Sequence, residues 1–385
     1  MKHWLIAGMT FTAIALWSTT MTASPADIWP SDGEEQRLWL RAQEEERVIN
    51  ESGLLYEDPQ LEAYLNEVAR KLQPPDVLRS VPIKILVLKD PHLNAFAFPN
   101  GVIYVHTGIL ARMENEAQLA TLLGHEMTHC THKHALKAFR KLKNLHPVST
   151  FDACTQDTPG RSRDLVTLLG STGALAAITG YTRELETEAD QVGFQLVLRA
   201  GYDVKEGAKL FEHLKEEIEI YKIKEPFVFG THPKLKKRIE NCEHFLESCE
   251  GEKGSGIKNR EVFLKKVHKV ILENAHLDLK TGRFDMAQKG LERYLALEPQ
   301  NARAYYLLGE VFRQQGDQER AKAFLGKAIA IDPAYPDPHK AIGLIYYKGG
   351  ERGRARSYFE TCLALSPNVP DRAYIEGYLA ECKEE

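Results

Sequence analysis

The C-terminal third of this 385-residue chain contains an internal repeat, which limits the possible folds more than any other feature of the sequence. The segment from Ala302 aligns with the segment from Pro336, at an offset of 34 residues. The aligned pairs include Gly309 with Gly343, Phe312 with Tyr346, Gly316 with Gly350, Ala321 with Ala355, and Pro333 with Pro367. One period earlier the corresponding residues are Ala275, Gly282, Ala287, Leu291 and Pro299. A period of this length predicts stacked units that each bury a face against the next.

The pattern resembles the tetratricopeptide repeat, in which small residues lie where two helices cross and a proline ends each unit. The resemblance implies an all-α solenoid with three repeats that begin near His268, Ala302 and Pro336. A last helix, Asp371 to Cys382, is expected to cap the stack. Three units are about the minimum for a stable array. Such arrays present a concave groove to a peptide or a partner protein, and the sequence does not identify that ligand.

A stretch rich in glycine, serine and charged residues, Glu247 to Ile257, separates the repeats from the rest of the chain. We therefore predict a first domain over residues 24–250, a linker over residues 251–258 and the solenoid over residues 259–385. Each of the two domains is long enough to bury a core of its own.

Residues 1–23 have the layout of a secretory signal peptide. Lys2 precedes the apolar run Leu5–Trp17, small and polar residues follow, and cleavage is expected after Ala23 or Ala26. The run is shorter than the ~20 apolar residues of a membrane span, although an uncleaved N-terminal anchor is the alternative. The sequence therefore predicts an exported protein with at most peripheral membrane contact.

Export affects how the six cysteines are interpreted, because disulfide bonds form in oxidising compartments. Proximity in sequence favours the pairs Cys242–Cys249 and Cys362–Cys382. Cys130 and Cys154 are equally well explained as buried and unpaired. The pairing as a whole cannot be derived from the spacing.

The segment L-L-G-H-E-M-T-H-C, Leu122 to Cys130, has the spacing of a zinc site. Its neighbours predict a helix over Glu116–Lys133, on which His125 and His129 lie one turn apart and face the same way. Two neutral imidazoles in this arrangement can bind one Zn²⁺. Glu126 would lie beside them, where a general base could take a proton from a water on the metal.

A third zinc ligand is expected from a later helix. One zincin class has the motif H-E-x-x-H-x-x-G-x-x-H, but here His132 stands at the glycine position and Ala135 at the third-histidine position, so that class is not matched. The downstream segment T-R-E-L-E-T-E-A-D-Q-V-G, from Thr182 to Gly193, contains four acidic residues. Glu186 and Asp190 lie one turn apart, so Glu186 can bind zinc while Asp190 accepts the remaining N–H of a zinc histidine. The other two acidic residues, Glu184 and Glu188, are expected to be solvated.

The segments G-H-E-M-T-H at 124–129 and R-E-L-E-T-E-A-D at 183–190 resemble the glutamate-zincin family that includes the HtpX heat-shock proteases and the CAAX prenyl proteases. Asn94–Leu110 resembles the strand pair before the zinc helix of that family, and Phe229–Ile239 resembles the T-H-P…R-I motif of its secreted members. The resemblance implies an α+β zincin-type metallopeptidase domain, mostly helical with a small sheet.

The resemblance also suggests roles for residues that the sequence alone leaves ambiguous. His232 would be a fourth zinc ligand in a resting state or a donor to the oxyanion, although a surface histidine fits its context equally well. Arg238 would reach the active site or join an ion pair. The segment Ala95–Phe98 would bind extended substrate as an edge strand or serve only as a hairpin. His132, His134 and His146 are expected to be solvated or structural rather than ligands.

Together these features predict a hydrolase, a zinc metalloendopeptidase with one Zn²⁺ per chain bound by His125, His129 and Glu186 and with Glu126 as its base. The order of signal peptide, peptidase domain and repeats resembles periplasmic members of the family. This implies misfolded or stalled outer-membrane β-barrel proteins as substrates and their assembly machinery as partner. The alternative is a chaperone or assembly scaffold that acts through the repeats. The net charge of −4, without a basic tract, gives no support for nucleic-acid binding.

Overall fold

The computed structural model of the protein describes Pro30 and residues 32–73, 81–145, 181–221, 235–249 and 256–382. The predicted fold class is confirmed, because a mostly helical domain with a small sheet precedes an all-α array of helix pairs. The first part consists of α1 (Gly33–Glu51), α2 (Pro59–Leu72), β1 (Lys84–Leu88), β2 (Ala95–Ala97), β3 (Val102–His106), α3 (Thr107–Leu110), α4 (Glu116–Thr131), α5 (His134–Leu145), α6 (Arg183–Arg199), α7 (Lys205–Tyr221) and α8 (Leu235–Ser248). The second part consists of α9 (Arg260–Lys280), α10 (Phe284–Leu297), α11 (Ala302–Gln315), α12 (Gln318–Ile331), α13 (Pro336–Lys348), α14 (Arg352–Leu365) and α15 (Arg372–Glu381).

The three strands form one sheet in the order β1-β3-β2, with β3 buried along its whole length. β1 runs parallel to β3, whereas β2 runs antiparallel to it and forms an edge of the sheet. The turn between β2 and β3 depends on Gly101, whose φ is +90° and whose added Cβ would lie 2.6 Å from the carbonyl oxygen of Pro82. The strand pair expected from the sequence is therefore present.

Helix α4 lies at the centre of the first domain, and all its residues from Glu116 to Cys130 are buried. Asn115 caps its N-terminus, because the side-chain oxygen accepts a hydrogen bond from the backbone N–H of Gln118. The helix ends at Thr131 rather than at Lys133, because Lys133 adopts a left-handed conformation with φ of 54°. A buried helix with polar side chains requires partners for them, and α6 provides Glu186 and Asp190 beside the two histidines.

The second part stacks three helix pairs, α9 with α10, α11 with α12, and α13 with α14, followed by α15. The second and third pairs begin at Ala302 and Pro336, where the period of the sequence places them. The aligned glycines lie at the crossings, because an added Cβ would approach Leu325 within 2.7 Å at Gly309 and Phe359 within 2.7 Å at Gly343. Close helix crossing therefore explains the small residues of the repeat.

The repeat array packs directly on the first domain through α9, which contacts α2, α3 and α4. The chain just before α9 is also bound there, because Ile257 forms an isolated parallel bridge with Tyr202. The backbone N–H of Glu116, the first residue of α4, donates to the carbonyl of Lys258. The end of the predicted linker is thus held against the helix that carries the histidines.

The favoured disulfide pairs are absent, because Cys242, Cys249, Cys362 and Cys382 are all free. Cys242 lies in α8 and Cys249 follows its end, so seven helical residues hold the two about 10 Å apart, beyond the reach of a disulfide. Cys362 and Cys382 are buried in one apolar cluster as separate thiols. Cys130 is buried and free as expected, whereas Cys154 lies outside the described residues.

Two other predictions concern the membrane and the N-terminus. Within the described part of the chain, no helix combines the length and the apolar character needed to cross a bilayer. The predicted signal peptide, residues 1–23, lies outside the described residues.

Candidate metal centre

The structure brings His125, His129 and Glu186 together in the buried interior of the first domain. Their side chains are 1–2% exposed, and one ligand atom from each lies within 4.8 Å of the others. His125 Nε2 lies 3.0 Å from His129 Nε2. The two oxygens of Glu186 lie 3.5 Å from His125 Nε2 and 3.5 Å from His129 Nε2.

These separations fit a tetrahedral zinc ion. With zinc–ligand distances of about 2.0–2.2 Å, two donor atoms in a tetrahedron lie about 3.3–3.6 Å apart. The three measured separations fall within about 0.3 Å of that range. Two imidazoles and one carboxylate are also a set that zinc peptidases use. The residues present therefore suit the metal that the sequence predicts.

Two glycines set the distance between the helices that carry these side chains. α4 and α6 cross backbone to backbone, and an added Cβ at Gly124 would lie 3.0 Å from the carbonyl oxygen of Gly193. An added Cβ at Gly193 would lie 2.9 Å from the backbone nitrogen of His125. Because His125 follows Gly124 directly, this contact brings α6 close enough for Glu186 to reach the histidines.

We expect Gly193→Ala to separate α4 from α6 and to destabilise the protein by about 1–3 kcal/mol, the usual effect of overpacking a close contact. Zinc binding should weaken as well, because Glu186 moves away from His125 together with α6. The control is Gly326→Ala, since an added Cβ at Gly326 meets nothing within 4 Å and alanine favours a helix. Urea unfolding and zinc titration of both variants test the prediction, which is wrong if the two variants behave alike.

Asp190, one turn after Glu186, connects His125 to further buried groups. Asp190 Oδ1 lies 2.9 Å from His125 Nδ1, and Arg238 and Asn241 donate hydrogen bonds to the same carboxylate. Burial alone would raise the pKa of Asp190, but Arg238 and the hydrogen bonds hold it below its usual value. The carboxylate is therefore ionised and is placed where it can orient the His125 ring; its role behind a zinc ligand stays a prediction.

The alternatives for Arg238 are resolved by the same contacts. Arg238 is 3% exposed, and its Nε and Nη2 lie 3.0 and 2.9 Å from Asp190 Oδ1. Its guanidinium also lies over the ring of Phe211, 4.3 Å from the centroid. Arg238 thus joins an ion pair, and this pair lies directly behind His125. His232 lies outside the described residues, so its two suggested roles stay predictions.

Glu126 is buried beside these groups, with a side chain that is 3% exposed. Burial, with a smaller contribution from the negative charge of Glu126, raises the pKa of the Cys130 thiol well above its usual range. The same charge adds to the effect of burial on Tyr181, whose pKa is also raised. Glu126 therefore stands in a poorly hydrated environment next to the two histidines.

Two aromatic neighbours of His129 were not assigned to the site from the sequence. The ring of Tyr181 stacks on His129 with centroids 4.0 Å apart and an angle of 15° between planes. The ring of His134 meets His129 through their Nδ1 atoms, which are 2.9 Å apart. His134 is fully buried, so of the two expectations for it, solvated or structural, the structural one is correct. In the sequence, the closeness of Tyr181 to the R-E-L-E-T-E segment was the only indication that Tyr181 belongs to this site.

Comparison with known proteins supports this interpretation. Residues 56–245 match peptidase family M48, and residues 272–336 and 339–373 match tetratricopeptide repeats. The beta-barrel assembly-enhancing protease of Escherichia coli (strain K12) is 26% identical over 251 residues, which cover 62% of this chain and 50% of that protein. The mitochondrial metalloendopeptidase OMA1 of Bos taurus is 30% identical over 170 residues, covering 42% of this chain and 32% of that protein.

The chain thus spans half or less of the length of these relatives. The family match nevertheless covers every described residue of the candidate metal centre, from His125 to Asn241. The family predicted from the two motifs is therefore confirmed for the first domain: residues 56–245 form a peptidase family M48 domain, and tetratricopeptide repeats follow on its C-terminal side.

Proposed function

We propose that the protein is a zinc-dependent metalloendopeptidase that hydrolyses peptide bonds in selected protein substrates. The observation that carries the proposal is the buried cluster of His125, His129 and Glu186, whose donor atoms have the separations of a zinc site. Family M48 membership and the relatives described as metalloendopeptidases support the same reaction.

The roles of the residues follow from their chemistry. His125, His129 and Glu186 would hold the zinc, which when bound lowers the pKa of a water molecule and polarises the substrate carbonyl. Glu126 would accept the proton of that water and then deliver it to the leaving amine. Asp190 would keep the N–H of His125 on Nδ1 and so leave Nε2 as a ligand atom. No covalent intermediate with the protein is needed.

The edge strand β2 is the best candidate for the substrate-binding strand. Among the described residues β2 pairs only with β3, so its other edge is free to pair with an extended peptide. The carbonyl of Phe98, at the end of this strand, lies 3.6 Å from the thiol of Cys130 on α4. The edge therefore lies beside the helix that carries the two histidines, as a substrate strand requires.

The proposal also includes a compartment and a class of substrates. The predicted signal peptide and the relative described as a beta-barrel assembly-enhancing protease together suggest a periplasmic protein. Its substrates would then be stalled or misfolded outer-membrane β-barrel proteins, with their assembly machinery as partner. The tetratricopeptide repeats supply a surface of the kind that recognises a protein or peptide.

A ligand substitution tests the proposal. Glu186→Gln should lower bound zinc from one per chain to well below one and abolish casein cleavage, because the amide is a much weaker ligand than the carboxylate. Glu184→Gln is the matched control, since Glu184 lies on the same helix but is exposed and is not one of the clustered donor residues. Bound zinc is measured by atomic absorption after dialysis in zinc-containing buffer.

The control should retain full zinc and full activity. If the unaltered protein binds no zinc under these conditions, the peptidase proposal is wrong and a scaffold that acts through the repeats becomes the better explanation.

A further inference from the structure

A buried histidine behind the metal centre has a defined contact that the reaction described above does not use. His134, the first residue of α5, is 0% exposed. Its Nδ1 lies 2.9 Å from Nδ1 of His129, and the two rings meet edge to face with centroids 4.9 Å apart. Its Nε2 lies 3.4 Å from Oε2 of Glu188, which is partly exposed on α6. A chain of three groups therefore leads from His129 toward the surface.

The backbone before His134 is strained in a way that produces this contact. Lys133 has a φ of 54°, a left-handed conformation that residues with a side chain rarely adopt. The N–H groups of His132 and Lys133 close the turn by donating to Thr128 and Cys130. Lys133 Nζ also lies 2.9 Å from Oε2 of the buried Glu35. This two-residue turn separates α4 from α5 and places His134 against His129.

The positions of the protons follow from the ligand geometry. His129 directs Nε2 into the cluster, toward His125 and Glu186, so a metal there would bind Nε2 and leave the hydrogen on Nδ1. That N–H needs an acceptor, and Nδ1 of His134 lies within hydrogen-bond distance of it. His134 then carries its own hydrogen on Nε2, which faces the Glu188 carboxylate. This arrangement of protons satisfies the contact between the two histidines, while the Nε2 of His134 faces Glu188 at 3.4 Å without forming a hydrogen bond.

We propose that His134 is a positioning residue that fixes the tautomer and the ring orientation of His129, with Glu188 in turn orienting His134. This inference rests on the proposed function, because it assumes that His129 binds a metal through Nε2. It gives His129 the kind of support that Asp190 gives His125, so each histidine has a partner behind it. The acceptor is a neutral imidazole in one case and a carboxylate in the other.

His134 is completely buried and its Nδ1 meets only one ring nitrogen of a ligand histidine in the contacts described above, so its position is fixed by packing and by that contact. His132 is a suitable comparison, because it lies on the same turn but is half-exposed and its Nδ1 contacts the Thr131 hydroxyl rather than a ligand histidine.

The test is the zinc affinity of the full chain, measured by competition with a chromophoric chelator. His134→Ala should weaken zinc binding by roughly 10- to 100-fold, the usual effect of losing such a partner. His134→Asn should restore most of the affinity, because its amide oxygen can replace Nδ1 as the acceptor. His132→Ala should bind zinc like the unaltered protein. Melting of the metal-free proteins shows whether any loss comes from unfolding.

The outcomes separate this inference from the proposed function. If the unaltered protein binds zinc and His134→Ala binds it equally well, the inference is wrong while the peptidase proposal stands. If His134→Asn binds zinc as weakly as His134→Ala although both fold, a hydrogen-bond role is also excluded. If His134→Ala does not fold, Glu188→Ala tests the inference instead. Glu188 is partly exposed, so its loss should not prevent folding, but it should still weaken zinc binding. A protein that takes up no zinc at all would contradict both proposals.

Discussion

Glu126→Gln is expected to lower peptide hydrolysis by about 10²- to 10⁴-fold, the contribution that a well-placed general base makes. Glutamine has nearly the same size as glutamate but cannot accept a proton, so the chemistry is lost while the packing of α4 is kept. Zinc content should stay at one per chain, because Glu126 is not one of the three clustered donor residues. The variant thus separates catalysis from metal binding.

The measurement is cleavage of casein and of a quenched fluorescent peptide, with zinc determined on the same samples. Glu184→Gln again serves as the control for removing one carboxylate from the domain. An active Glu126→Gln variant with full zinc would show that another group is the base. A cellular function that survives loss of Glu126 would instead favour the scaffold interpretation.

Local periodicity explains the part of the candidate metal centre that residue spacing alone could predict, whereas the choice of Glu186 also needed the family resemblance. A helix places residues four apart on one face, so His125 and His129 face together wherever that helix lies. The same rule placed Asp190 one turn from Glu186. The spacing of the repeats was equally informative, since each glycine at a crossing has to recur once per unit. Local rules of this kind need no knowledge of the tertiary structure.

The site residues that the sequence did not predict depend on tertiary contacts, which the spacing of residues in the sequence does not encode. The role of His134 requires a left-handed conformation at Lys133, and nothing in the sequence marks a lysine for that conformation. The ring of Tyr181 reaches His129 through tertiary packing. The expected Cys242–Cys249 pair was wrong because proximity in sequence is not proximity in space along a helix. Tertiary geometry, rather than composition, decides these cases.

The junction between the two domains is another feature that the sequence did not show. Arg112, in the loop after α3, lies within salt-bridge distance of two buried carboxylates, Glu217 on α7 and Asp278 on α9. Arg283 also pairs with Asp278, and its guanidinium donates to the carbonyl of Pro91. From α10, Arg293 donates to two carbonyls of the loop after α3. The repeats are therefore fixed to the peptidase domain by buried ionic contacts.

Arg112→Met is expected to destabilise this junction by about 3–5 kcal/mol, the range for breaking a buried ion pair by removing one partner. Methionine keeps much of the volume of arginine but leaves Glu217, 5% exposed, and Asp278, 1% exposed, without that guanidinium. Burial already raises the pKa of Asp278 despite its two arginine neighbours, so losing one of them makes the buried charge still less favourable.

Arg140→Met is the matched control, because Arg140 also pairs with two carboxylates, Asp32 and Glu34, but is 47% exposed. Solvent screens such a pair, so its loss should change the free energy of unfolding by no more than about 1 kcal/mol. Both substitutions are best made in the Glu126→Gln background, so that self-cleavage does not complicate urea unfolding followed by circular dichroism. If Arg112→Met unfolds in two steps, with the repeats separating first, the buried arginine joins the domains. Equal stability of the two variants would show that apolar packing of α9 holds the array in place and that the ionic contacts add nothing.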